Sequence, residues 1–100
     1  MPSFGTEISH ALGQIQATTR LKSFIDNVRQ QYREQISDMS GAWNENVLDF
    51  SLTSMGMTVK GKLIVEEGLA RVAGQIPLAA VMFRGQLEKS IARELGRALG

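Results

Sequence analysis

The feature that most constrains this chain is a change of hydrophobic period. Between Leu48 and Ile76 apolar residues recur at every second position, in three runs. Leu48, Phe50 and Leu52 alternate with Asp49, Ser51 and Thr53; Met57, Val59, Gly61, Leu63 and Val65 alternate with Thr58, Lys60 and Lys62. Ala70, Val72, Gly74 and Ile76 alternate with Arg71 and Gln75. A period of two puts one set of side chains on one face of a strand. Ser54-Met55-Gly56 and Glu66-Glu67-Gly68 separate the runs, and Gly56 can take the positive φ of a tight turn. The pattern predicts a three-stranded antiparallel meander, apolar on one face and solvated on the other. The stretch Ser40 to Trp43 leaves a further strand open.

On both sides the period lengthens. Leu21, Phe24, Ile25, Val28, Tyr32 and Ile36 follow one another at steps of three and four from a start near Gln14, which predicts an amphipathic helix. Arg20, Lys22, Arg29, Arg33 and Glu34 fall largely outside that stripe. Ahead of it, Phe4, Thr6 and Ile8 suit a short first strand that Ser9-His10-Ala11-Leu12-Gly13 interrupts. Pro77 fits the first position of a second helix, where a missing N–H is harmless. Ala80, Phe83, Leu87, Ile91, Leu95 and Leu99 then keep helical spacing to the chain end. Gly85 and Gly96 lie inside this helix at about 1 kcal/mol each relative to Ala, and either could mark a close approach to another backbone. The expected fold is α+β in the order β-α-β-β-β-α: one domain over residues 1–100, a two-layer sandwich with both helices on one face of an antiparallel sheet.

Composition removes most chemistries. The 100 residues contain no Cys and one His, so thiol nucleophiles, disulfides and multi-His metal sites are excluded within one chain. Eleven Lys and Arg against ten Asp and Glu give a net charge of +1, which supplies no field for nucleic acid. The longest apolar run, Ile76 to Phe83, is far short of the roughly 18 residues of a membrane span. Met1 to Glu7 lacks a basic segment followed by an apolar one, so the expected location is cytoplasmic. No dinucleotide, P-loop, EF-hand or zincin motif is present, and no cofactor or metal is expected.

Few residues stand out as carriers of chemistry. His10 could serve as a general base near Glu7 or Ser9, but no partner group can be placed, and an end to the first strand or a cap for the helix explains it as well. Asp49 can lie opposite Lys60 or Lys62 as a cross-strand pair. Glu66 and Glu67 read as solvated turn residues. Lys89, Arg93 and Arg97 recur at every fourth position and form one basic row, either a solvated helix face or an attraction for an anionic surface. Leu78-Ala79-Ala80-Val81-Met82-Phe83 would cover a helical turn on all sides, more than one sheet face can bury. Either it is wedged between sheet and first helix, or Leu78, Val81, Met82 and Phe83 are in part exposed for a dimer interface, an apolar ligand or a hydrophobic surface. Trp43 suits an interface anchor or an ordinary strand end equally well.

The order and spacing of these segments resemble a known family. Ile8-Ser9-His10-Ala11-Leu12-Gly13 before a basic amphipathic helix, Met57-Thr58-Val59-Lys60-Gly61-Lys62-Leu63 in the meander, and Ile76-Pro77-Leu78 through Gly85-Gln86-Leu87-Glu88 are similar to the polyhydroxyalkanoic acid system proteins. The resemblance spans nearly the whole chain. It implies a small bacterial protein encoded beside genes for making, storing or using a polyester kept in granules, and it carries no assigned catalytic residues.

Two functions are therefore expected. The first is a non-enzymatic accessory protein that associates with granules, their proteins or its own copy through Leu78, Val81, Met82, Phe83, Lys89, Arg93 and Arg97. The alternative is a small carrier that holds an acyl or hydroxyacyl ligand between sheet and helices, in a pocket lined by Leu48, Phe50, Val59, Leu63, Phe83 and Leu87. An enzyme acting on hydroxyacyl thioesters or polyester has no residue constellation behind it.

Overall fold

The computed structural model describes residues 2–100. The elements are β1 (Ser3–Ser9), α1 (Gln14–Gln31), β2 (Asp38–Asn44), β3 (Val47–Ser54), β4 (Met57–Val65), β5 (Leu69–Gln75), a 3-10 helix (Leu78–Phe83) and α2 (Arg84–Leu99). The strands form one antiparallel sheet in the order β1-β5-β4-β3-β2. The α+β class and the expected order of elements hold, with β2 as one further strand in the meander. Its alternation is weak because it lies at an edge with one neighbour. Only Met39 and Trp43 of its seven residues escape full exposure.

Local signals set the turns. Between β3 and β4 the two central residues, Met55 and Gly56, have φ of 55° and 78°. Two positive values match the twist of the flanking strands, and glycine takes the second of them without strain. Helix α1 stops short of the predicted stripe end. The amides of Gln35 and Ile36 both bond to the Tyr32 carbonyl, and Ser37 donates to the Thr53 carbonyl at 2.9 Å. Ile36 therefore leaves the helix to lead the chain into β2.

The registers place Gly41, Phe50, Gly61, Gly74 and Phe4 in one row across the sheet. A Cβ at Gly61 would stand 2.6 Å from the Ala73 carbonyl oxygen and 3.0 Å from Phe50 Cζ. At Gly74 it would stand 2.2 Å from the Lys60 carbonyl oxygen and 2.9 Å from Phe4 Cε1. The two phenylalanine rings thus fold over bare backbone, and the close approach that the helix glycines suggested lies in the sheet instead. Gly85 has no outside atom within 4 Å, and Gly96 faces only the Ile8 side chain, at 3.8 Å.

The helices are buried at one end only. Ala17, Thr18 and Leu21 in the first half of α1 are buried, as are Leu95 and Leu99 in the second half of α2. They join Phe4, Leu48, Leu63, Val65, Ala70, Val72 and Ile76 in the core. The opposite halves carry Phe24, Ile25, Val28 and Tyr32, and Leu87 and Ile91, all only partly buried. Side-chain size sets how closely helices approach. Small Ala17 sits in the buried half of α1, and bulkier residues line the less buried halves of both helices.

The sheet edges differ as well. On β1 the outward amide of Gly5 donates to Glu88 at 2.8 Å, and Arg84 donates to the Ser3 carbonyl at 3.3 Å. Among the described residues no such contact reaches the outer backbone of β2.

Candidate functional site

Where the helices stand apart, a groove of about 440 Å³ opens between them, floored by the sheet. Phe24, Ile25, Val28 and Tyr32 form the α1 wall, and Leu87, Ser90, Ile91, Arg93 and Glu94 form the α2 wall. Leu48, Phe50, Leu52, Val59, Leu63 and Val72 make the floor. Of the pocket residues expected from the sequence, Leu48, Phe50, Val59, Leu63 and Leu87 line the groove. Phe83 does not; it is 55% exposed in the 3-10 helix. The α1 wall was missed: the apolar stripe runs from Leu21 on to Tyr32, about three turns beyond the last buried residue of α1.

The segment Leu78–Phe83 has no buried residue. Leu78 is 76% exposed and Met82 85%. Val81 is also exposed, and Ala80 alone packs against the core. Of the two readings of this segment, the wedge between sheet and first helix is set aside. The cause is the 3-10 geometry after Pro77. Successive side chains spread at three residues per turn, and the regular helix begins only at Arg84.

Lys89, Arg93 and Arg97 all face solvent on α2. Arg97 lies 3.6 Å from Glu94, while Arg93, at the groove rim, has no carboxylate within 4.0 Å among the described residues. His10 has a structural position. Its Nδ1 accepts from the Leu12 amide at 3.2 Å and its Nε2 donates to the Glu66 carbonyl at 3.0 Å. Through Glu66 it ties the end of β1 to the β4–β5 turn, and it does not line the groove. Asp49 pairs with Lys62 across the β3–β4 register, at 3.6 Å and with both side chains largely exposed.

The two turn glutamates are more than solvated. Glu67 accepts from the Gln14 amide at 3.3 Å and so satisfies a free N–H at the start of α1. Glu66 accepts from Arg71; this hydrogen bond, with the carboxylate charge, holds the Arg71 guanidinium above its ordinary pKa. Trp43 is a partly buried strand residue packed against the core, with Lys22 Nζ 5.6 Å from its ring centre.

The arrangement suits binding by apolar contact. Among the described residues no group of three or more His, Asp or Glu gathers as metal ligands, and no helix is long and apolar enough to cross a membrane. No curated protein matches the chain, and no solved structure does. A family model described as "Putative polyhydroxyalkanoic acid system protein" matches residues 6–99, from within β1 to the end of α2. With nearly the whole domain covered, the chain belongs to the polyhydroxyalkanoic acid system protein family.

Proposed function

We propose that this protein is a non-enzymatic accessory of polyhydroxyalkanoate storage in the cytoplasm, and that it docks on the granule or on a granule protein through Leu78–Phe83. The observation that carries this reading is the exposure of Leu78, Met82 and Phe83 in a segment that buries nothing. Burying a large apolar side chain contributes about 1.5–3 kcal/mol. Scaled by exposure, these three supply roughly 3–6 kcal/mol, comparable to the weak, reversible hold of a single acyl anchor. Lys89, Arg93 and Arg97 add salt-sensitive attraction where the surface carries anionic groups.

The test is co-sedimentation with polyhydroxyalkanoate particles. Leu78→Ser and Phe83→Ser, each checked for folding by circular dichroism, are expected to weaken binding about tenfold each. Unchanged binding by both folded variants would refute the mechanism. A dimer in light scattering that Met82→Ser dissociates would assign the segment to self-association instead.

A further inference from the structure

We infer that the groove between α1 and α2 is a binding site for one acyl-chain carboxylate, its tail along the sheet and its head at Arg93. This site is separate from Leu78–Phe83, none of which lines it.

Three observations carry the inference. First, the groove is a formed space rather than a packing defect. Its lining comes from five elements, with the large side chains of Phe24, Tyr32, Leu87 and Ile91 on the two helical walls. Its volume of about 440 Å³ falls within the range of small-molecule sites. Secondly, its chemistry is that of an amphiphile. The floor is wholly aliphatic and aromatic, and the polar lining residues are Tyr32, Ser90, Arg93 and Glu94. Thirdly, the rim charges are not balanced against each other. Glu94 lies beside Arg97, which leaves Arg93 as a cation with no carboxylate partner among the described residues. An anionic head beside Arg93 completes that pairing, and a cationic or neutral head does not.

The volume sets the tail length. At about 440 Å³ the groove has room for a medium-length alkyl tail. A neutral alcohol of the same length would bind through the tail alone.

Isothermal titration of the full chain with octanoate, decanoate and dodecanoate, each below its micelle threshold, tests the site. One carboxylate is expected per chain, with Kd falling about fourfold per added methylene. Arg93→Gln is expected to weaken dodecanoate about tenfold and leave dodecan-1-ol unchanged. Val28→Phe and Ser90→Phe, which fill the groove from opposite walls, should abolish binding of both ligands while raising the melting temperature. Leu78→Ser and Met82→Ser should bind dodecanoate as the parent does. Kd independent of chain length, equal loss of acid and alcohol in Arg93→Gln, or loss in Leu78→Ser rather than in the filled variants would each overturn the inference.

Discussion

Replacing Gly74 by alanine should destabilise this protein, against the usual direction for a strand glycine. On conformational grounds the substitution gains about 0.5–1 kcal/mol, because glycine loses more freedom on folding than alanine. The surroundings reverse the sign. The new methyl would meet the Lys60 carbonyl oxygen at 2.2 Å and the Gly61 Cα at 2.8 Å, and both are backbone atoms that cannot swing aside. Relief requires β4 and β5 to part where Lys60 pairs with Gln75 and Gly61 with Gly74. Overpacking costs about 1–3 kcal/mol, and loosening one or two ladder hydrogen bonds adds about 1 kcal/mol each. The net loss is about 1–4 kcal/mol, a fall in Tm of about 5–20 °C for a domain of this length. Thermal unfolding followed by circular dichroism and by Trp43 fluorescence reads it directly. Phe4→Leu in the Gly74→Ala chain should restore little, because the nearest obstacle is the carbonyl rather than the ring. Gly96→Ala, whose methyl would rest 3.8 Å from Ile8, is the counterpart and should gain about 0.5–1 kcal/mol. A Gly74→Ala chain that melts at or above the parent temperature would refute the packing account.

Two further tests probe contacts away from the groove. His10→Ala removes the bond from the end of β1 to the Glu66 carbonyl in the β4–β5 turn and the local one from the Leu12 amide, and should lower stability by about 1–2 kcal/mol in urea unfolding, with the slope unchanged. The exposed pair of Asp49 and Lys62, at 3.6 Å, should show a coupling of no more than about 0.5 kcal/mol in a double-mutant cycle, diminished further by salt.

Much of this architecture was legible because its physics is local. Alternation at Leu48, Phe50 and Leu52, and four-residue spacing at Leu87, Ile91, Leu95 and Leu99, each define a buried face without reference to any other part of the chain. Asp49 and Lys62 could be paired once the Met55-Gly56 turn fixed the register. The parts that resisted reading depend on distant segments. Gly61 and Gly74 occupy ordinary alternating positions, and only the meeting of β4 and β5 beneath Phe50 and Phe4 makes them obligatory. Glu67 caps a helix 53 positions away, which no local pattern announces. The floor of the groove was visible as the inner face of the meander. Its α1 wall was not, because the periodicity of Phe24, Val28 and Tyr32 shows which way they point and not how far the facing helix stands off. Leu78–Phe83 posed the reverse problem: its apolarity was plain, and its exposure depended on the 3-10 start of the last helix.

The unequal edges of the sheet set a limit on how copies of this chain can add to one another. Any strand-to-strand growth through β1 must first displace Glu88 from the Gly5 amide and Arg84 from the Ser3 carbonyl. The outer side of β2 carries no such stopper, and its lone Asp38 is a sparse deterrent. A molecule with two reactive ends makes a polymer, whereas one with a single reactive end makes a pair and stops. Joined through β2, two copies would form a ten-stranded sheet with a blocked β1 at either end, related by a two-fold axis and with no place for a third. Helix α2 therefore does more than roof the core. Through Glu88 and Arg84 it occupies the outer backbone of β1 at Gly5 and Ser3, an obstacle that any strand added at that edge would have to remove.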